Sequence, residues 1–217
     1  MPHHAELVRT LEASIEIARQ RPLSVGEVLE RLRDDGFSLI CLLHSLPFLQ
    51  PMSLGPISLA AGASLTVLGL QKARGAHTPW LPEKMASVVL RAELWAVMLK
   101  TCERVLRLCR RVARPRLTRL ATGDFAHRLG GYIVAASGVL IAAPLPGIPF
   151  SNSLPALAVL FVSVAELEED GFFMIASWVA IVATLVYFAL VGTVAAAVLV
   201  RIWCWLLGWM SMTSAVC

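Results

Sequence analysis

Apolar residues in the first third of the chain form two short runs on either side of a break rich in proline. The runs cover residues 37–49 and 57–70, and polar residues and a Pro-Trp-Leu-Pro segment close the unit at residue 82. The prolines between the runs are Pro47, Pro51 and Pro56. A helix that crosses a bilayer core of about 30 Å needs about 20 residues, so each run is too short to cross. Two short runs joined by a turn predict a re-entrant helical hairpin over residues 37–82, with its turn covered by protein or water.

One face of the second run carries small residues at intervals of three or four. They are Gly55, Ser58, Gly62, Thr66 and Gly69. In a membrane such a face permits close contact between helices, so we expect another helix to pack on it.

A second unit with the same order of features covers residues 129–171. An apolar run breaks at 144–152, a shorter apolar run follows at 154–165, and acidic residues fill most of 166–170. Each unit is preceded by a charged amphipathic segment. We interpret the two units as a degenerate internal repeat, which is inverted if residues 86–99 cross the membrane.

The segment between the two units is strongly basic. Residues 71–128 hold 13 of the 19 basic residues and only four acidic ones, and the part at 83–128 predicts a basic amphipathic linker helix. Its basic face carries Arg104, Arg107, Arg111 and Arg114. In a chain this apolar, such a face favours anionic lipid at the cytoplasmic surface over nucleic acid. Whether 86–99 crosses is left open, because Arg91 and Glu93 would each cost about 2.5–3.5 kcal/mol at mid-membrane unless protein covers them.

The two ends of the chain differ in character. Residues 1–36 predict two amphipathic helices, the second opened by the capping-box pair Ser24 and Glu27 and ended by Asp34-Asp35-Gly36. They either pack on the rest of the protein or lie in the membrane interface. Residues 172–217 predict a transmembrane region, because 172–200 carry no charge. This region forms one long tilted helix or two helices that turn near Gly192.

The composition supports an all-α integral membrane protein. Hydrophobic residues make up 57% and charged residues 16% of the chain, against about 45–50% and about 25% in soluble domains. The five cysteines lack the spacing of a metal site, and residues 1–36 do not resemble a signal peptide. We find no nucleotide loop, HExxH or Gly-x-Ser-x-Gly motif, and we expect neither a cofactor nor an enzymatic site.

The best candidates for a polar site lie at or near the two breaks, where helix ends and backbone carbonyls face a ligand. They are His44, Ser45, Gln50 and Gln71 in the first unit, and Ser151, Asn152 and Glu166 in the second. Simpler interpretations are a hydrogen-bonded core residue for His44 and an interfacial cap for Gln71. The acidic stretch at 166–170 is equally explained as a solvated turn, or as a partner of the basic segment.

Four sequence motifs occur in order along the chain. They are LPFLQP at 46–51, GLQKARGAHTPWLP at 69–82, APLPGIPFSNSLPALAVL at 143–160 and ELEEDG at 166–171. With these motifs the chain resembles, over residues 24–200, the ExoD-type membrane proteins associated with bacterial exopolysaccharide synthesis. Its first turn, residues 48–54, lacks the glycine–proline richness expected there. The resemblance implies an inner-membrane protein acting in exopolysaccharide production or export, and it supplies no catalytic residues.

Our leading hypothesis is a multi-pass protein of the bacterial inner membrane that resembles a transporter and handles an exopolysaccharide or a lipid-linked precursor. The alternative is a scaffold that binds anionic lipid or a glycosyltransferase. A membrane enzyme acting on lipid-linked sugars has no supporting motif. We expect membrane lipids as partners and a homodimer, because the short hairpins leave turns and small-residue faces that need cover.

Overall fold

The computed structural model describes residues 35–50, 56–80, 117–143 and 148–213, together with scattered positions between 9 and 27 and between 89 and 108. Most of these residues are helical, and the rest form turns, loops and two strands of two residues each. The helices are α1 (Asp35–Ser45), α2 (Pro56–Ala73), α3 (Asp124–Ala142), α4 (Ser153–Leu167) and α5 (Gly171–Thr213), with 3-10 turns at Leu46–Leu49 and Thr118–Leu120. The strands β1 (Leu23–Ser24) and β2 (Val89–Leu90) pair antiparallel. The chain divides into two units, Met1–Ile181 and Val182–Cys217.

The ends of the first hairpin follow from its prolines and one glycine. Pro47 lies in the 3-10 turn that closes α1, and Pro56 is the first residue of α2, where its missing N–H costs nothing. Helix α2 ends in a Schellman motif around Gly75, whose φ is +85°. The Gly75 N–H donates to the Lys72 carbonyl at 2.9 Å, and the Ala76 N–H donates to the Gln71 carbonyl at 3.1 Å.

Helix α4 ends in the same way with a residue that is not glycine. Glu169 has a φ of +54°, and the Asp170 N–H donates to the Ala165 carbonyl at 3.0 Å. The Asp170 side chain then accepts the Phe172 N–H at 2.9 Å and opens α5. A left-handed residue other than glycine costs about 1–2 kcal/mol, which the surrounding contacts offset. Part of the acidic stretch therefore forms the turn between two helices.

The two hairpins, α1–α2 and α3–α4, point in the same direction. At one end, which we call the break end, Asn152 Nδ2 donates to Ser58 Oγ at 2.8 Å, so the two helix breaks touch. At the other, which we call the entry end, Ser38 of α1 contacts Glu166 of α4. The inverted relation that we considered for the two units is therefore wrong, because an inverted pair would place the breaks at opposite ends.

Glycine allows α2 and α3 to pack backbone against backbone. A Cβ added at Gly62 would lie 2.5 Å from the Ala142 nitrogen, and one added at Gly138 would lie 2.5 Å from the Thr66 nitrogen. Gly69 and Gly131 are equally close to the opposite helix. The small-residue face predicted on α2 is thus confirmed as a helix contact at Gly62, Thr66 and Gly69, while Gly55 lies outside the described residues. A matching face on α3 completes the contact.

The remaining core lies between α1 and α4 and around α3. Fully buried side chains from these helices fill it: Phe37, Leu42, Val134, Ile141, Val159 and Val162. The start of α5 joins this core through Phe173, which packs against Phe161 with ring centroids 5.9 Å apart. Other apolar residues of α2 and α3, such as Ile57, Leu59, Tyr132 and Val139, stay exposed on the outer faces of these helices.

Several predicted boundaries need adjustment. Asp35 begins α1 and does not end the preceding helix, because an acidic residue is favourable in the first turn. Helix α3 begins at Asp124, five residues before the predicted unit at 129–171. Half of the predicted capping box is confirmed, since the Glu27 N–H donates to Ser24 Oγ at 3.3 Å. Of the two alternatives for the C-terminal region, the structure has one continuous helix with no turn at Gly192.

Two of the described helices are long and apolar enough, by length and composition, to cross a membrane. They are α3 with 19 residues and the part Gly171–Trp203 of α5 with 33 residues. The apolar segments Asp35–Leu49, Ile57–Ala73 and Ser153–Leu167 are shorter. Half of α3 is buried inside the protein but less than a fifth of the α5 segment, so α5 presents an apolar surface to its surroundings.

Replacing Gly138 by alanine should destabilise the protein by about 1–3 kcal/mol, because the new Cβ collides with the backbone of α2 and neither helix can give way locally. Gly192→Ala is the matched control, since a Cβ there meets no atom within 4 Å. That change should leave stability equal or raise it by up to about 1 kcal/mol through helix propensity. Unfolding in detergent monitored by circular dichroism measures both, and equal effects would contradict the close contact.

Candidate functional site

Three polar side chains from three helices meet at the entry end, and we call them the polar cluster: Ser38, Lys72 and Glu166. Lys72 Nζ forms an ion pair with Glu166 Oε2, and Ser38 Oγ donates to the same oxygen. Lys72 Nζ also lies 3.4 Å from Ser38 Oγ. The cluster connects α1 and α2 of the first hairpin with α4 of the second.

The two charged residues occupy corresponding places in their helices. Lys72 lies three residues before Gly75, and Glu166 three residues before Glu169, the left-handed residues that end α2 and α4. Both side chains thus leave the last turn of a helix that carries no other charged residue. Ser38 comes from the first turn of α1, which runs antiparallel to α4.

The cluster is withdrawn from solvent. Lys72 is only 1% exposed and the Glu166 side chain 11%. Removing two charges from water costs several kcal/mol per ion, which their mutual attraction and further hydrogen bonds must offset. Glu166 Oε2 receives both partners, whereas Glu166 Oε1 is buried and has no hydrogen-bond partner among the described residues. The carboxylate is therefore satisfied at one oxygen only.

An open polar pocket of about 250 Å³ adjoins the cluster. Its ionisable lining residues are Asp35, His77, Asp124, His127, Glu166 and Glu169, with Ser38 and Thr122 beside them. The His77 and His127 rings stack with centroids 5.5 Å apart. His127 Nε2 donates to the Ala76 carbonyl at 2.9 Å, which fixes this proton and leaves Nδ1 as the acceptor of the neutral ring. The pocket suits a cation or a small polar ligand better than an anion, because carboxylates outnumber the histidines.

At the break end the structure brings together candidates from both units. Asn152 is buried and bonds Ser58, and the neighbouring Ser153 Oγ donates to the Gln50 carbonyl at 2.6 Å. Ser151 Oγ donates to the Ile148 carbonyl at 3.0 Å and so stabilises its own turn. Gln50 takes part through its backbone, and its residue is exposed.

Three other candidates form bonds within the first unit. His44 Nε2 lies 2.9 Å from Ser64 Oγ, which itself donates to the Ala61 carbonyl, so His44 acts as the donor. Ser45 Oγ donates to the Leu42 carbonyl at 2.8 Å. Gln71 bonds the Trp80 backbone twice, accepting its N–H at 2.7 Å and donating to its carbonyl at 3.1 Å. The His44 bond matches its interpretation as a hydrogen-bonded core residue. The two Gln71 bonds hold the following loop to the end of α2 at Trp80.

The structure describes two of the four arginines that we predict to face lipid. Arg104 and Arg107 are helical and exposed, while Arg111 and Arg114 lie outside the described residues. Within the described part of the chain, no group of three or more His, Cys, Asp or Glu residues has the arrangement of a metal site.

Among the predicted site residues, Glu166 alone belongs to the polar cluster, and the prediction missed Ser38 and Lys72. Lys72 directly follows an apolar run and Gln71, so the sequence places it only among the polar residues that close the first unit. The sequence feature that could have identified Lys72 is that it is an ionisable residue at the end of a predicted helix too short to cross a membrane. Its partner, 94 positions away, has no signature in the sequence.

Comparison with known proteins adds a family context. The family model described as "Exopolysaccharide synthesis, ExoD" matches residues 7–190. The chain is 33% identical to Protein ExoD of Rhizobium meliloti over 183 residues, which are 84% of this chain and 76% of that protein. It is 22% identical to an uncharacterised protein of Synechocystis over 149 residues, 69% of each chain. No solved structure matches the chain significantly.

Removing one partner of the buried ion pair should cost more stability than removing both. Lys72→Met leaves Glu166 charged and buried, and we expect a loss of about 3–5 kcal/mol. The double variant Lys72→Met/Glu166→Gln should recover much of that loss, because no unpaired charge remains.

The exposed pair Arg21–Glu27 provides the matched control for this measurement. Arg21→Met should cost at most about 1 kcal/mol, as is usual for surface pairs. Denaturant unfolding of all the variants in the same detergent gives the comparison. If Lys72→Met were as mild as Arg21→Met, the pair would not be buried as described.

Proposed function

Because the chain belongs to the ExoD family, we propose that it takes part in bacterial exopolysaccharide synthesis or export as a multi-pass inner-membrane protein that resembles a transporter. The observation that carries the transporter-like part is the buried polar cluster, which joins the two hairpins by a charged contact. Ionisable groups inside membrane proteins are costly, and they mark ion or substrate pathways more often than structural links.

The lengths of the helices support re-entrant hairpins. At about 1.5 Å per residue, α1, α2 and α4 measure about 16, 27 and 22 Å, all below the bilayer core of about 30 Å. Irregular backbone at membrane depth requires polar partners, and the bonds of Asn152 and Ser153 supply some at the break end. In this proposal α5 crosses the membrane fully, and α3 is the other helix that is long and apolar enough to do so.

The direction of the hairpins supports a linker that stays on one side of the membrane. The His127 bond to the Ala76 carbonyl places the residues on either side of the linker together at the entry end. A linker that begins and ends at one end needs no crossing at 86–99. Its basic residues then place the entry end at the cytoplasmic face by the positive-inside rule.

The two hairpins form the moving parts in this proposal. They correspond in helix order, in the position of their breaks and in the place of Lys72 and Glu166. Transporters built from repeats work by rocking one repeat against the other around a site near the broken helices. Here the polar cluster joins the repeats at one end and the touching breaks join them at the other. No enzymatic step is part of the proposal.

A second candidate function, a membrane scaffold, is favoured by one observation. The helical residues Arg104, Arg107 and Leu108 are all exposed, and Leu108 retains 65% of its accessible surface. Exposed basic and apolar residues this close in the sequence suit a surface that binds anionic lipid or a protein partner such as a glycosyltransferase. A homodimer formed through the exposed apolar side of α5 is compatible with both functions.

Restoring exopolysaccharide production in a strain that lacks the gene tests the two candidates. Glu166→Gln and Asn152→Ala should reduce production strongly, because the cluster and the breaks form the transport route. Arg21→Met should restore normal production. Reversing charge at Arg104, Arg107 and Arg111 should have a small effect.

Only variants present in the membrane at the level of the unmodified protein are scored. The opposite pattern, with harmless changes in the cluster and a damaging charge reversal, would reject the transporter in favour of the scaffold.

Cysteine labelling in spheroplasts and inverted vesicles tests the hairpin arrangement. Thr78→Cys and Thr122→Cys lie on the two sides of the linker and are both exposed. We expect both to react with a membrane-impermeant maleimide only in inverted vesicles, after subtraction of the unmodified chain. Labelling of the two positions from opposite sides would show that the linker crosses.

A further inference from the structure

We propose that the outer face of the α2–α3 pair binds an anionic phospholipid, whose phosphate is held by Arg74 and Arg128 at the entry end. The inference rests on the membrane location given under the proposed function. It adds a lipid site that is distinct from the surface of Arg104 and Arg107. It starts from two arginines for which the described part of the chain supplies no anionic partner.

Arg74 and Arg128 are both exposed, and neither forms an ion pair within the described residues. Asp124 lies one helical turn before Arg128 and is the nearest carboxylate to it along α3. It lines the polar pocket with the other carboxylates of the entry end, and that lining includes neither arginine. The two positive charges are therefore available to an anion from outside the chain.

The turn that ends α2 brings the two arginines to one place. A Cβ built on Gly75 would lie 3.3 Å from Arg128 Nη2 and 3.4 Å from Arg128 Nε, so the guanidinium group packs on the open side of this glycine. Arg74 directly precedes Gly75 in the chain. A guanidinium group donates two parallel hydrogen bonds to a phosphate, so this place suits a phosphodiester headgroup.

The outer face of the pair is its exposed side. On α2, Gly62 and Gly69 face α3, and Leu65 and Leu68 are buried in the core. The remaining side of α2 and the corresponding side of α3 carry large apolar side chains that are 40–62% exposed. They are Leu59, Val67, Leu70, Tyr132 and Val139.

The arginines stand in line with these apolar side chains. Arg74 follows Leu70 by four residues, and Arg128 precedes Tyr132 by four, so each shares a helix face with its neighbour. From Leu59 to Leu70 the face is about 17 Å long, close to the roughly 15 Å that one leaflet contributes to the bilayer core. A phospholipid of the leaflet at the entry end therefore fits, with its headgroup at the arginines and its acyl chains along the two helices.

The same charges disfavour a second copy of the chain on this face. Two copies in one membrane are related by an axis along the membrane normal, so equivalent residues meet at the same depth. Contact through the outer face would bring Arg74 and Arg128 of both copies together without a carboxylate between them. Like charges at short distance repel, whereas a lipid phosphate supplies the missing anion.

Native mass spectrometry of the full-length chain, released from detergent with added lipid, tests the site. The unmodified chain should retain one phosphatidylglycerol in preference to phosphatidylcholine, whose choline cation offsets the phosphate charge. Arg74→Gln/Arg128→Gln should weaken phosphatidylglycerol binding about 10- to 30-fold, as expected for the loss of two basic residues at an anionic headgroup. The matched control Arg119→Gln/Arg201→Gln removes the same charge from two exposed arginines outside α2 and α3, and should leave the affinity nearly unchanged.

Equal weakening in the two double variants would overturn the site, because it would show attraction to overall charge. Equal retention of the two lipids would overturn it as well. Displacement of phosphatidylglycerol by an equal concentration of inorganic phosphate would also overturn it, because the apolar face would then add nothing to binding.

Photocrosslinking identifies what covers the face. A benzophenone amino acid in place of Val67, which is 52% exposed, should attach to phosphatidylglycerol in vesicles that hold equal amounts of both lipids. The preference should vanish when Arg74→Gln/Arg128→Gln is added. A crosslink between two chains, or equal labelling of the two lipids, would overturn the proposal.

Lipid binding is measured on purified protein and exopolysaccharide production in cells, so the two proposals fail separately. Binding that depends on the two arginines, together with normal production in Glu166→Gln and Asn152→Ala, would overturn the proposed function and support the lipid site. Lost production in those variants, together with binding that is indifferent to the arginines, would do the reverse.

Discussion

The contact between α2 and α3 is the constraint on which the other features of this half of the molecule depend. Gly62 and Gly138 bring the two backbones so close that neither helix accepts a Cβ at the crossing. This contact sets the two hairpins side by side and pointing the same way. With that relation fixed, the breaks must meet at one end, and the last turns of α2 and α4 must meet at the other.

Polar residues occupy the two ends of this arrangement, and apolar residues fill the space between them. The break end has neutral amide and hydroxyl contacts, such as Asn152 with Ser58, which satisfy backbone and side chains at little electrostatic cost. The entry end instead contains a buried ion pair, whose stability depends strongly on its surroundings. The two ends therefore differ in chemistry: neutral hydrogen bonds join the hairpins at the break end, and a buried ion pair joins them at the entry end.

Local features of the fold were predictable from the sequence, and the relation between distant parts was not. Prolines and the small-residue face of α2 act within a few residues, so the sequence predicts the proline-closed ends of α1 and α2 and the close contact of α2 with another helix. The partner of Lys72 depends on the relative orientation of the two hairpins. An apolar run gives the same pattern in either orientation, so the sequence does not identify that partner. For the same reason the sequence allows an inverted repeat. The hydrogen bond between Asn152 and Ser58 shows that the two breaks lie at the same end. Of the polar cluster the sequence predicts only Glu166, as a candidate near the second break, whereas the structure places it at the entry end.

The distance along the chain between Lys72 and Glu166 has a consequence for biosynthesis. The partners are 94 residues apart, and at about 5–20 residues per second the carboxylate is synthesised on the order of 5–20 s after the lysine. During that interval Lys72 has no counter-charge, so the last turn of α2 cannot be buried as it is in the finished fold. The ion pair therefore forms only after α4 is made, and it marks the completion of the two-hairpin unit.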